Sequence, residues 1–359
     1  MGIMYDIAII GLGPAGATLA RLLDSSFRVI AIDRKSAGNS DGFRKPCGGL
    51  LATDAQRVLS RFNLTLPKEV LVDPQIFAVK TIDTKQNLQR NYQRFYINLD
   101  RHKFDLWLMS LIPGHIEVSA PAACVDIRRD GNGFQVTFRE DGQTRVIRAR
   151  HVVGGDGSNS IVRKALFPHK KIRRYVSIQQ WFPETHATPF YSSIFDSEIT
   201  DCYCWSVSKD GCFILGGAFP IKSGRKRFDM LRDRLEKKGF LLGEPIRTEA
   251  CLVSRPAGLR SFCAGYDGAF LVGEAAGFIS PSSLEGISYA LNSARMLAGI
   301  LNTKTKNPNW TYRIKTLPIR LTLLAKYLKS PFMYNPFLRR LVMKSGLSAI
   351  RVTGDPDMM

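Results

Sequence analysis

The sequence predicts an α/β fold in which a nucleotide-binding sheet is interleaved with a β-rich region and followed by a basic helical segment. Three observations carry that prediction. The chain opens as strand, glycine turn, helix and strand, the order of a βαβ unit. A stretch with period-two alternation and two Asp-Gly turns follows at 122–155. Much later, 269–291 repeats the strand, glycine turn and helix grammar, so the nucleotide-binding part is assembled from the start, the middle and a late segment.

Taken in order, residues 6–10 read as a short buried strand, 11–16 as a tight loop, 17–23 as a helix and 28–33 as a second strand. "GLGPAG" supplies Gly11, Gly13 and Gly16: a tight turn, a close approach for a pyrophosphate, and close packing of helix on strand. Asp33, 17 residues after Gly16, ends the second strand, where a carboxylate can accept hydrogen bonds from a ribose. Helical spacing returns at 101–111, and the meander at 122–155 ends in a buried strand at 151–154. "GGDGSNSIVRK" then places Asp156 at a strand end just before a short helix. A β-rich stretch spans 175–219, a charged amphipathic helix 222–238, a buried strand 269–272 and a long helix 283–301, with Glu274 at the intervening turn. The N-terminus of that long helix is expected near Ser282, presenting backbone N–H groups to a negative charge.

With 359 residues and 45% hydrophobic composition the chain can bury two cores. Seven cysteines without paired spacing argue against a disulfide framework and for a reducing compartment, and five ungrouped histidines give no metal signature. The apolar opening lacks a basic leader and is broken by Asp6 and glycines, and no later stretch is long enough to span a bilayer, so a cytoplasmic protein is expected. The net charge of +20 is uneven: from Gly286 to Gly354 there are 12 Lys or Arg and no Asp or Glu. A solvated basic tail and attraction to anionic lipid headgroups on the inner face of the membrane both fit. Nucleic acid ranks last, because no recognition motif accompanies the charge.

The three glycine motifs, in this order and spacing, resemble the FAD-dependent oxidoreductases related to aromatic hydroxylases, over nearly the whole chain. "KPCGG", residues 45–49, narrows the likeness to the geranylgeranyl reductase family. Within it, "GFRKPCGGLLATDAQ", "RNYQRFYINLDRHKFDLW" and "GEAAGFISPSSLEGISYAL" resemble the CbrA group of bacterial flavoproteins. The resemblance implies an FAD-binding Rossmann-like domain of the aromatic-hydroxylase (GR2) type at 1–75, 97–170 and 265–302. It implies a β-rich substrate domain at 76–96 and 171–264, leaving a basic helical segment at 303–359. It also implies that Gly11, Gly13, Pro14, Ala15, Gly16, Asp33, Arg34 and Lys35 hold the ADP half of FAD, with backbone near Val125 by the adenine. Arg101, Asp156, Gly273 and Glu274 would lie beside the pyrophosphate and ribityl chain, with Pro46, Cys47, Gly48, Gly49, Glu285, Gly286 and Ile287 near the flavin ring.

Two departures stand out. Glu274 occupies a place where most relatives carry Asp, and "SPSSLEGI" has Ser283-Leu284 where the family usually has Thr-Gly. Leucine adopts positive φ less cheaply than glycine, so the turn beside the flavin is expected to differ.

The implied chemistry is reduction of isolated carbon–carbon double bonds in a polyprenyl or other apolar lipid by hydride from reduced flavin. Cys47 is the candidate to donate or relay the accompanying proton, or to orient the group that does. Filling space against the ring, or a thioether to the flavin, are its other readings. Tyr203 and Trp205 share one strand face and either line an apolar cavity, where they would steady a developing carbocation, or are ordinary sheet core. Tyr96, Trp181, Phe190, Tyr191 and Phe195 stay unassigned. The electron donor is expected to be NAD(P)H or a ferredoxin-like carrier, an acidic redox partner suiting the basic surface. An FAD-dependent monooxygenase acting on an apolar or aromatic substrate, and a non-catalytic flavin-containing protein that binds lipid or a partner, remain alternatives.

Overall fold

Ile7, Ala8 and Ile9 are fully buried, which sets the strand Met4–Ile10 inside a sheet covered on both faces. The structure is a computed structural model, which describes residues 4–35 and 44–352. Gly42 and Phe43 of the cysteine-bearing stretch lie outside the described residues, as do the outermost ends of the first and last segments.

Met4–Ile10 pairs in parallel with Val29–Ile32 on one side and with Gln143–Gly154 on the other. Glu117–Ser119 extends the first edge, again in parallel. Gln143–Gly154 changes partners along its length. Its first half pairs antiparallel with Gly133–Glu140, which pairs with Ala122–Asp130, and its last residues pair in parallel with Ala269–Leu271. One long strand thus carries the meander into the parallel sheet. The helices Pro14–Leu22 and Ile287–Asn302 cover one face, sharing a core that includes Leu19, Ala20, Leu297 and Ala298.

A second sheet of eight strands runs in the order 247–254, 174–183, 212–219, 204–209, 191–195, 78–83, 88–93 and 349–350. Gly224–Glu236 lies over it, burying Phe228, Leu231 and Leu235 against Phe182 and Phe219. Its last strand, Ala349–Ile350, comes from the C-terminal segment and pairs with 88–93. That segment is not a free tail: Tyr312 and Leu323 are fully buried, and Arg339 forms a buried ion pair with Asp83 at 2.7 Å.

The long late helix begins at Ile287, not near 282–283. Leu284 takes a left-handed conformation, φ +53°, and Ser280 N–H bonds to the Glu285 carbonyl, so residues 280–285 close a turn of their own first. Leu284 sits in the left-handed region where glycine would be at ease. Among the described residues all seven cysteines are unbonded, and no group of His, Cys, Asp and Glu could hold a metal. No helix among them is long and apolar enough to cross a membrane.

Candidate functional site

A cavity of about 650 Å³ is walled by both sheets. That volume is in the range of small-molecule and cofactor sites.

At one end lies the turn between Ile10 and the helix Pro14–Leu22. Gly11 has φ +91°, and a Cβ there would stand 2.7 Å from the Asp156 Cα. A Cβ on Gly16 would lie 1.8 Å from the Gly11 carbonyl oxygen. Gly13 differs: a Cβ would meet nothing within 4 Å, because its open side faces the cavity. The helix that follows has Pro14 at its start, no side-chain cap and no acid in its first turn, so its first N–H groups have no side-chain acceptor.

Asp33 is buried in the same wall. Its carboxylate accepts the backbone N–H groups of Leu12 and of Lys35, the latter at 2.7 Å, and lies 3.3 Å from the Lys35 ammonium. Lys35 also approaches Asp105 at 3.8 Å, and Asp105 accepts from Arg101 Nε at 2.8 Å. Asp33, Lys35, Asp105 and Arg101 thus form one buried row of alternating charge. Burial works against the charge on Arg101, but Asp105 and Cys47 raise its pKa overall. Asp156 accepts from Ile161 N–H at 2.6 Å through one oxygen, while its buried Oδ1 has no partner. Burial raises the pKa of that carboxyl.

The Lys45–Gly49 bend forms the middle. Lys45 pairs with Glu274, whose other oxygen accepts Ser254 N–H at 2.8 Å. Burial opposes the charge on Lys45, yet Glu274 holds its pKa above the usual lysine range. Cys47 Sγ accepts the Gly49 N–H at 3.5 Å. Behind it Lys209, 4% exposed, donates to the Gly48 carbonyl at 2.8 Å and the Leu99 carbonyl at 2.7 Å. Burial pulls its pKa down to about 8. Cys47 also lines a smaller cavity of about 40 Å³ with Arg101, His102 and Lys209.

The far end is aromatic. Tyr203 and Trp205 stand with ring centroids 5.8 Å apart, and Tyr96 meets Tyr191 edge-on at 5.9 Å. Tyr203 donates to the Ser283 carbonyl at 2.6 Å; Tyr96 donates to Glu285 at 2.8 Å, and Glu285 also accepts from Ser283 Oγ at 2.9 Å. Burial, first of several causes, raises the Tyr96 and Tyr203 phenols well above their usual range. Trp205 Nε1 is buried without a partner and lies beside Gly48.

The structure brings most of the candidate residues into this one wall: Gly11, Gly13, Pro14, Ala15, Asp33, Arg34, Lys35, Pro46, Cys47, Gly48, Gly49, Arg101, Asp156, Tyr203, Trp205, Glu274, Glu285, Gly286 and Ile287. Three lie outside it. Gly16 is packed beneath the turn. Gly273 is buried with its N–H on Ser293 Oγ. Val125 is 42% exposed, because the ladder slips between Cys124 and Asp126, and Ala122 and Cys124 line the cavity in its place. At Gly49, which lines the cavity, a Cβ would strike the Leu99 carbonyl at 2.2 Å, so its smallness serves backbone packing.

Protein CbrA of Escherichia coli O6:H1 is 52% identical over 346 residues, covering 96% of this chain and 94% of that protein. The chain belongs to the CbrA family. A CbrA of Shigella sonnei matches at the same identity, covering 96% of this chain and 98% of its own length. No family model matches the sequence. Among solved structures, a geranylgeranyl bacteriochlorophyll reductase-like protein from Thermoplasma acidophilum aligns at TM-score 0.69, with 18% identity over 96% of this chain and 88% of that one. PqsL, a probable FAD-dependent monooxygenase from Pseudomonas aeruginosa, also aligns at 0.69, with 19% identity over 96% of this chain and all of that one. This CbrA-family chain therefore has the fold of proteins described as FAD-dependent or reductase-like.

Sequence reading alone did not single out Lys45, Asp105, Lys209, Tyr96 or Tyr191 for the site. Asp105 stands four residues after Arg101 on one helix, a spacing that signals an ion pair. Lys209 carries no such local signal, since its partners Gly48 and Leu99 are remote in sequence. Of the other unassigned aromatics, Phe190 belongs to a cluster with Phe213 and Phe240, and Phe195 packs under Arg339.

Proposed function

We propose that this chain is an FAD-dependent oxidoreductase that adds hydrogen across an isolated carbon–carbon double bond of a polyprenyl or other apolar lipid. The observation that carries the reading is continuity: one cavity joins the uncapped helix at Gly13, the Cys47 bend and the aromatic wall at Tyr203 and Trp205. The residues fit an elongated dinucleotide. Free helix N–H groups and the open side of Gly13 suit the pyrophosphate, and Asp33 with Arg34 and Lys35 suits the ribose end. Arg101, Lys45 and Glu274 would flank the middle of the molecule, and Gly286 and Ile287 would bring a second helix N-terminus to the ring.

When bound and reduced, by hydride from NAD(P)H or by two single electrons from a ferredoxin-like carrier with a proton from solvent, the flavin would supply the hydride. The chain's own residues have the second half of the task, because an unactivated alkene must also receive a proton. Cys47 gives it. Arg101 and Lys209 line the smaller cavity together with Cys47, which puts two basic side chains near the sulfur that gives up the proton. The small cavity on its other side gives a route for reprotonation. Tyr191, Tyr203 and Trp205 keep water from the alkene and offer π faces to positive charge developing on carbon.

Lipids extracted from cells with and without the protein test the reading: gain of hydrogen at prenyl chains supports it. Cys47→Ser is expected to keep bound flavin while turnover falls by about 10²-fold or more; near-normal rates reject the proton role. A preparation that stays colourless with excess FAD removes the cofactor itself. The equal fold likeness to PqsL favours a second reading, oxygenation, which predicts gain of an oxygen atom with matching oxygen uptake.

A further inference from the structure

We infer that the C-terminal helices form a docking face for an anionic lipid bilayer. The helix Pro308–Lys315 buries Tyr312 and leaves Trp310 65% exposed, with Ile314 one turn further on also in solvent. The next helix, Leu317–Lys329, buries Ile319 and Leu323 and exposes Leu317, Leu321 and Leu328, the last at 67%. Those three recur at helical spacing on the side away from the core. Phe332 follows in a short helix, and Pro336–Ser345 buries Arg339 and Met343 while exposing Phe337 and Leu341. Successive helices therefore each turn one stripe inward and present large apolar side chains outward, a pattern that solvated tails do not need.

The charge selects the occupant. Arg313, Lys315, Lys329, Arg340 and Lys344 are interspersed with these side chains and are exposed. Among the described residues none of them pairs with a carboxylate, and the sequence offers no acid from Gly286 to Gly354. Aromatic and aliphatic side chains that enter the acyl boundary, flanked by cations at headgroup level, match an anionic leaflet. A nucleic-acid surface would need polar contacts where Trp310, Leu321, Leu328 and Phe337 stand. The face is fastened to the turn just before the cavity-lining residues Ser283, Leu284 and Glu285: Tyr334 donates to the Ser282 carbonyl, and Arg255 lies over the Tyr334 ring at 4.6 Å while donating to the Pro281 carbonyl at 3.0 Å. The inference does not depend on the redox reading.

The test is co-sedimentation of the full chain with vesicles of phosphatidylglycerol and phosphatidylcholine, against phosphatidylcholine alone. Binding is expected to be at least about tenfold stronger to the anionic vesicles and to weaken with salt. Leu321→Ser/Leu328→Ser/Phe337→Ser and, separately, Arg340→Glu/Lys344→Glu should each lower it by about tenfold, with flavin content and melting temperature unchanged. Both sets lie on exposed positions, and a variant that loses its melting transition is replaced by single substitutions at the same sites. Equal binding to both vesicle types, undiminished binding by the variants, or retention on duplex DNA with none on vesicles each overturns the proposal.

Discussion

Two turns bound the cavity, and they treat the same backbone problem differently. At the first, Gly11 has φ +91° and Gly16 packs against it; at the second, Leu284 has φ +53° and carries a full side chain. Positive φ is common to both, so it does not decide where glycine is required. What decides is the space for a Cβ. On Gly11 it would enter the Gly155–Asp156 backbone, and on Gly16 it would overlap a carbonyl oxygen. Leu284 points into partial burial beside Tyr203 and Ile279. Burial of that side chain is worth on the order of the 1–2 kcal/mol that the left-handed backbone costs. The turn at Gly11 is held by backbone against backbone, and the turn at Leu284 by side chains that can be exchanged.

The largest expected effect breaks the first turn. Gly16→Ala puts a methyl 1.8 Å from the Gly11 oxygen, so helix and strand must part; the variant should lose several kcal/mol of stability and its flavin together. Gly13→Ala is the contrast, since its methyl has room in the fold but enters the cavity. Its melting temperature should match wild type while FAD affinity falls. Equal thermal losses in both would mean the two positions are not separated as the geometry requires.

The contrast also explains what could be read from sequence. The first turn was legible because its signals are local: glycines, a proline at the helix start and an acid at the end of the next strand. The meander was legible because its turns carry Asp-Gly. The start of the late helix was misplaced, since nothing in the letters Ser-Ser-Leu-Glu marks a left-handed leucine. That Cys124 and not the exposed Val125 lines the cavity was not legible, because a bulge in the ladder is invisible in an alternating pattern. Lys45 with Glu274 and Lys209 with Gly48 join residues far apart in the chain, and only the packing of one sheet on the other defines such pairs.

An intermediate effect is expected at the cysteine bend, between the two turns. Burial lowers Lys209 from the usual 10.5 to about 8, against the pull of Cys47, Asp100 and Asp210. Between those values the unfolded chain keeps a proton that the folded chain has released, so this residue makes stability rise with pH across that window. A neutral amine still has hydrogens for the Gly48 and Leu99 carbonyls. In Lys209→Met the rise should vanish, read as the difference between wild-type and variant unfolding free energies from about pH 8 to 10.5. A constant difference across that range would show that Lys209 stays charged in the folded chain as it does in the unfolded one.

The smallest effect is the most diagnostic of the second turn. At an ordinary helix or strand position glycine is less stable than alanine by about 0.5–1 kcal/mol, because it loses more backbone freedom on folding. At Leu284 both substitutions remove the packing beside Tyr203 and Ile279, but only alanine keeps a Cβ in the left-handed region. The order should therefore invert: Leu284→Gly more stable than Leu284→Ala, by a margin on the order of 1 kcal/mol or less. Because both variants lose the same contacts, their difference isolates the backbone cost from the side-chain gain. The usual order, alanine above glycine, would mean that the turn relaxes once the leucine is gone, and that its left-handed residue is imposed by packing on Tyr203 instead of by the turn itself.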